Sequence, residues 1–214
     1  MKVVIIGHGG HSKVVTDIIQ ATQGLHIIAY LDNKYEKTQL INHVTYAPQS
    51  AVNDLKEEYG DIKFVIAIGD NRVRKMIVEM LKLTEREFIT VIHPTSSVSP
   101  SAKIGNGTVV MPNTIINADS IIGNHCIINS GSIVEHDSLV DDFVHLCPNS
   151  TIAGTVMVGE GSMVGSGATI IPNKKIGEWT TIGAGATVIN DLSSNCVAVG
   201  TPAKSKLKSQ INVG

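Results

Sequence analysis

Sixteen aliphatic residues stand at intervals of six from Val98 to Val188 with no insertion or slip: Val98, Ile104, Val110, Ile116, Ile122, Ile128, Val134, Val140, Leu146, Ile152, Val158, Val164, Ile170, Ile176, Ile182 and Val188. A strict period of six fits neither a helix nor an ordinary alternating strand. It is the signature of a repeat architecture in which each unit buries its apolar residue only by stacking on a neighbour. Four residues after the aliphatic position the side chain is usually small or β-branched, as at Thr108, Ser120, Cys126, Ser132, Ser150, Ser162 and Ala186, with Lys174 an exception. A glycine or an acid often follows the aliphatic residue directly, as at Gly105, Gly123, Glu135 and Asp141. Each hexad therefore predicts one short strand and one turn, and three hexads make one triangular coil of eighteen residues. The aliphatic side chain points into the prism and meets its counterpart one coil away, at about the 4.8 Å strand spacing. A core this narrow has little room for rings, and aromatics make up only 4% of the chain, against 20 glycines in 214 residues. Cys126, at a small-residue position, reads as a buried small hydrophobe.

The chain before the hexads has a different grammar. Lys2–Ile6 and Phe64–Ile68 are apolar runs of strand length, and His26–Leu31 is a third. Between and after them, Lys13–Thr22, Gln49–Tyr59 and Asn71–Leu83 have helical character. This alternation predicts a small parallel α/β unit, half of a doubly wound domain. Residues 1–92 form that unit and 93–214 the prism with its tail. The lysines at Lys204–Lys208 read as a solvated tail.

The turn Gly7-His8-Gly9-Gly10-His11-Ser12 follows the first strand and opens the first helix, and Asp32 ends the second strand about twenty residues on. Backbone N–H groups at such a helix start suit a pyrophosphate, and an acid at the second strand end suits a ribose or base edge. Gly69-Asp70-Asn71 follows the third strand and falls at the same sheet edge; Asp70 or Asn71 equally suits the N-cap of the next helix. A domain this small has no second half for a dinucleotide, which argues against a nicotinamide-dependent dehydrogenase. Gly9, Gly10, His11, Asp32, Asn33 and Gly69 are candidates to hold a nucleotide-linked ligand.

Within the hexads, Glu135-His136-Asp137 breaks an otherwise bland pattern. A histidine beside a carboxylate is suited to general-base work at neutral pH. Gly154, eighteen residues on, stacks over His136 and leaves space for a substrate and a free N–H for an oxyanion. His145 lies half a coil from His136 and meets it only across a subunit interface. His125 reads as a solvent-exposed surface residue. The spacing of His125, His136 and His145, eleven and nine residues, argues against the three converging histidines of a γ-carbonic-anhydrase-like metal site. A non-catalytic β-helix scaffold stays open as a third reading.

These motifs, with His93-Pro94 and Val199-Gly200-Thr201-Pro202-Ala203-Lys204, resemble the bacterial hexapeptide-repeat sugar acetyltransferases of the NeuD (sialic acid O-acetyltransferase) and PglD type, over nearly the whole chain. The resemblance implies a left-handed β-helix, whereas the usual crossover rule gives the opposite hand. It implies a homotrimer with active sites between prisms, and acetyl transfer from acetyl-CoA to an amino or hydroxyl group of a nucleotide-activated sugar, such as a UDP-4-amino-sugar, without a metal. Sialic acid O-acetylation is the alternative. His136 would be the base and Asp137 its orienting carboxylate. His145 and the Gly154 amide would contact the thioester, Ser166 and Ala184 the CoA arm, and the six residues above the nucleotide-sugar. Two departures stand out: the family's Glu after the histidine is Asp137 here, and its paired aspartates at the nucleotide edge are Asp32-Asn33. The second change bears on base or sugar selectivity.

The net charge of −2 gives no nucleic-acid-binding surface. No apolar run reaches membrane-spanning length. Three scattered cysteines, Cys126, Cys147 and Cys196, form no disulfide framework, so the expected location is the reducing cytoplasm.

Overall fold

The computed structural model describes residues 1–207. The first part is a five-stranded sheet of β1 (Lys2–Ile6), β2 (His26–Leu31), β3 (Gln39–Ile41), β4 (Val44–Ala47) and β5 (Ile62–Ile66), in the order β3-β4-β2-β1-β5. All pairings are parallel except the β3–β4 hairpin. That hairpin occupies a stretch whose sequence reads mostly as loop. Helix α1 (Gly10–Ala21) covers one sheet face; α2 (Val52–Tyr59) and α3 (Asn71–Leu81) cover the other. Both faces of the central strands are therefore buried, which is why β1 and β5 read as continuous apolar runs.

From Val91 the chain winds into a three-sided parallel β-helix. Strands two residues long stack with a register of eighteen, so that Val98, Ile116, Val134, Ile152, Ile170 and Val188 form one ladder. The first face runs from Val91–Ile92 through Val109–Val110, Ile127–Ile128, His145–Leu146, Met163–Val164 and Thr181–Ile182. The second runs from Ser97–Val98 to Thr187–Val188 and the third from Lys103–Ile104 to Lys175–Ile176. The hexad aliphatics make one continuous core with Cys126, Val144, Val156, Ala168 and Ala186 at the narrow positions. Burial of each Val or Ile there contributes roughly 1.5–3 kcal/mol. Lys174, the exception in the pattern, is only half-buried. Burial pushes the Cys126 thiol up to about 12, so it is inert.

From Gly107 to Gly185 each corner turn has one residue in the left-handed region, and glycine is not required there: Asn113, Asp119, His125, Asp137, Phe143, Asn149, Thr155, Asn173 and Trp179 all adopt φ between 53° and 62°. Asn and Asp tolerate that conformation best, which explains their recurrence in the hexads.

The two parts share a core. Val91, Val109 and Ile127, which point outward from the first prism face, pack with Val3, Ile5, Val15, Ile18, Val65 and Ala67. The first prism strand, Val91–Ile92, precedes residue 93 and already belongs to the ladder. At the other end Lys204–Leu207 is an exposed antiparallel strand on Cys196–Val199 rather than a free tail; Lys208 lies outside the described residues.

Candidate active site

His136 and Asp137 sit on the corner between the second and third faces. Nδ1 of His136 lies 2.7 Å from Oδ2 of Asp137, and both side chains are more than half exposed. Asp137 adopts φ 57°, and its N–H donates to the Ala118 carbonyl, so the turn itself aims the carboxylate at the ring. Glu135, on the other side of His136, accepts from the Asn117 side chain at 2.8 Å. Gly154 stands one coil above, but the space expected there for a substrate is taken by the imidazole: a Cβ on Gly154 would lie 2.7 Å from Nε2 of His136. The Gly154 carbonyl accepts from Asn173, while its N–H has no partner among the described residues.

His145 lies elsewhere in the chain, on the first face against the α/β domain. Its Nε2 is 3.1 Å from the Asn129 side-chain nitrogen. Burial first, then Arg74 and His11, hold its pKa at about 4, so the ring is neutral and Asn129 is the donor. His11, at the start of α1, is likewise lowered to about 4 by burial and by Arg74. Its Nε2 is buried with no partner among the described residues. Ser166 and Ala184 stack on the corner between the first and second faces, linked by the Gly185 N–H to the Ser166 carbonyl.

The sheet edge gathers the other candidates. Gly9 and Gly10 lead into α1, and a side chain at either, or at Gly69, would meet open space. Asp32 is partly engaged: Oδ2 accepts from the His8 N–H at 2.6 Å and Oδ1 from the Lys34 N–H at 2.9 Å. Asn33 pairs with Gln49 through two bonds of 3.3 Å. Asp70 is the N-cap of α3, accepting from the Val73 N–H at 2.9 Å. Asn71 faces the prism, donating to the Gly161 and Ser162 carbonyls.

One expectation is overturned. His125 is 1% exposed, stacked on Phe143 with Phe88 edge-on, and its pKa is lowered to about 4 by burial. The α/β domain and its connector cover this corner, a tertiary effect that no local pattern encodes. His125, His136 and His145 thus occupy three separate environments within one chain, and among the described residues no three His, Cys, Asp or Glu side chains form a metal-holding group.

Sequence reasoning missed several residues. His8 stacks on Tyr30 at 4.4 Å, Tyr30 on Tyr46 at 5.4 Å, and His8 Nδ1 pairs with the Tyr35 hydroxyl. Asn129, which fixes His145, sits in a turn slot that carries no hexad signal. Arg74 is buried at the domain seam, although an arginine in the first turns of an amphipathic helix, between Arg72 and Lys75, reads as surface.

A prism with an ordered His-carboxylate pair on one corner and an α/β domain on one face defines a hexapeptide-repeat acyltransferase of the two-part kind. Residues 2–81 match the PglD N-terminal domain, and residues 101–136 match the bacterial transferase hexapeptide of six repeats. The fold superposes on PerB from Caulobacter crescentus, solved in complex with CoA and GDP-perosamine, with a TM-score of 0.87 and 38% identity over 96% of this chain and 97% of that one. It also superposes on the acetyltransferase domain of PglB from Neisseria gonorrhoeae, in complex with acetyl coenzyme A, with a TM-score of 0.84 and 34% identity over 96% and 98%. A UDP-N-acetylbacillosamine N-acetyltransferase from Bacillus subtilis is 45% identical over 106 residues, which span half of this chain and 49% of that protein. The chain belongs to the PglD-type family of hexapeptide-repeat sugar acetyltransferases.

Proposed function

We propose that this protein transfers the acetyl group of acetyl-CoA to an amino group of a nucleotide-activated sugar, with His136 as general base. The observation that carries this reading is the His136–Asp137 bond beside Gly154. The N-acetyltransferase relatives, solved with CoA and with GDP-perosamine, support the two substrates and the amine acceptor.

In this reading Asp137 accepts a hydrogen bond from the Nδ1–H of His136, which leaves the Nε2 lone pair for the reacting groups. Nε2 removes a proton from the attacking sugar nitrogen as the new N–C bond forms at the thioester carbonyl. The carbonyl oxygen becomes an oxyanion, for which the unpaired Gly154 N–H is a donor. Collapse breaks the C–S bond, and the proton on His136 passes to the departing CoA thiolate. The amide and free CoA are the products.

The same reading makes the protein a homotrimer. The base lies on the corner between the second and third faces, whereas His145, Ser166 and Ala184 lie on the first face and its corner with the second. A CoA arm along Ser166 and Ala184 would place its thioester against His145 of one chain and His136 of the next. Apolar side chains flank the base: Ile115 on the second face and Ile121 and Met157 on the third are 37%, 44% and 41% exposed. A stripe of that kind suits burial against a second copy. The nucleotide would lie along Gly9, Gly10, His11, Asp32, Asn33 and Gly69, with the orphan Nε2 of His11 a partner for one of its oxygens. No helix among the described residues is long and apolar enough to cross a membrane; the three unpaired cysteines suit the cytoplasm, where acetyl-CoA is made.

The test is release of CoA thiol from acetyl-CoA with a panel of UDP- and GDP-linked amino sugars and with sialic acid, comparing the wild type with His136→Ala. Release with an amino-sugar nucleotide that is lost in the variant supports the reading. Release with sialic acid instead would make it an O-acetyltransferase.

A further inference from the structure

Arg74 is 1% exposed and has no carboxylate partner among the described residues, yet each of its five N–H donors is satisfied. Nε donates to the His125 carbonyl at 2.8 Å. One terminal nitrogen donates to the Ile68 and Gly69 carbonyls at 2.9 and 3.3 Å. The other donates to the Asn71 side chain and the Phe143 carbonyl, both at 2.8 Å. Two of these acceptors are backbone of the prism, two are backbone at the carboxyl edge of the sheet, and one is on α3 itself. The guanidinium is therefore bonded to both parts of the chain.

Two of these acceptors matter most: Gly69 lies at the sheet edge proposed for the nucleotide-sugar, and Phe143 stands two residues before His145, the histidine proposed for the thioester. One guanidinium thus joins the sheet edge to the strand that carries His145. We infer that Arg74 is a positioning residue for acetyl transfer: by tying Gly69 to the Phe143 and His125 carbonyls it sets the distance between the sugar-bearing edge and the acyl site. This rests on the reading under Proposed function. The geometry gives an arginine a use at a site where an apolar side chain would avoid burying a charge. A lysine carries the charge but has three donors on one point and cannot span acceptors on opposite sides of the seam. Burial lowers the pKa of Arg74 to about 10, so it stays charged at neutral pH.

The expected signature is a split between binding and turnover. The nucleotide-sugar and acetyl-CoA each contact mostly one rigid part, whereas the reaction needs both in register, and a misplacement of about 1 Å costs about 100-fold in rate. The experiment compares Arg74→Lys and Arg74→Met with Asn71→Ala, which cuts the bonds to Gly161 and Ser162 and one of the five Arg74 bonds at the same seam but leaves Arg74 bonded to Gly69, His125 and Phe143. Dissociation constants for acetyl-CoA and for the nucleoside diphosphate, measured by calorimetry, are expected within about 3-fold of wild type in both Arg74 variants. Their kcat is expected to fall by about 30-fold or more, with Asn71→Ala within about 5-fold. Hydrogen exchange at the Val73 amide, which donates to Asp70 beside Gly69, is expected to quicken in the Arg74 variants while the prism coils stay protected, and it gives a readout that needs no acceptor. If the wild type acetylates no sugar nucleotide, the functional reading fails while this exchange result still reports on the tie. Unchanged exchange, a folded Arg74 variant with near-normal kcat, or loss of kcat in all three variants in step with stability would each overturn the inference.

Discussion

The imidazole of His136 occupies the space that a side chain at Gly154 would need, one coil away in the same corner stack: a Cβ built on Gly154 would lie 2.7 Å from Nε2. The glycine thus sets where the imidazole sits. Its backbone φ is not in the left-handed region, so an alanine there strains no torsion and acts only on the ring. Gly154→Ala is expected to lower kcat by about 100-fold with a melting temperature close to wild type, because the ring must swing from its bond to Asp137. Steady-state kinetics with a parallel thermal melt checks this.

Asp137 has two duties, the left-handed turn and the carboxylate, and two substitutions separate them. Asn tolerates the turn but cannot take the ring proton as an anion; glycine keeps the turn and removes the side chain. Both are expected to fold with normal stability and to lose about 10- to 100-fold in kcat. Alanine adds backbone strain of roughly 1 kcal/mol and should also melt lower. Activity that survives in Asp137→Asn would remove the carboxylate from the mechanism.

His11, His125 and His145 are each held at about 4 by burial above all. Their folded pKa values lie below the unfolded value of 6.5, so as pH falls the unfolded chain takes up protons first. Stability is full above about pH 6.5 and is lost progressively down to about pH 4, with His125 alone contributing on the order of 3 kcal/mol. His125→Phe, in a site already walled by Phe88 and Phe143, is expected to make this acid limb shallower by about one proton. Neither ring nitrogen of His125 makes a hydrogen bond among the described residues, so the phenyl group forfeits only the 3.4 Å approach of Nε2 to the Glu85 carboxylate. Denaturant titrations from pH 7 to pH 4 measure the slope directly.

Met157 and Ile121 stand exposed beside the base on the third face. If another copy covers this stripe, Met157→Glu should yield monomers by sedimentation, with the hexad core intact by circular dichroism and acetyl transfer lost. A trimer that survives the charge would move the interface elsewhere.

The prism was legible because its rule is local: each aliphatic residue meets its own counterpart eighteen residues away, so period and burial carry the same information. Strands β1 and β2 were legible for a similar reason, as bounded apolar runs. The β3–β4 hairpin was not, since Gln39–Ile41 is an exposed edge with no alternation to betray it. His125 and Arg74 were misread or missed because what buries them belongs to the other half of the chain. His136, Asp137 and Gly154 could be found together since the eighteen-residue period brings them to one corner. The environment of His145 depends on where the α/β domain docks, and that docking uses outward residues such as Val109 and Ile127, which the hexad pattern leaves unconstrained.

The central claim is tested most directly by single-turnover acetyl transfer from radiolabelled acetyl-CoA to UDP- and GDP-linked amino sugars, followed by identification of the acetylated atom. The account predicts label on a sugar nitrogen with wild-type protein and loss of about 1,000-fold or more with His136→Ala, at unchanged acetyl-CoA affinity. Transfer that persists at the wild-type rate in His136→Ala would contradict it.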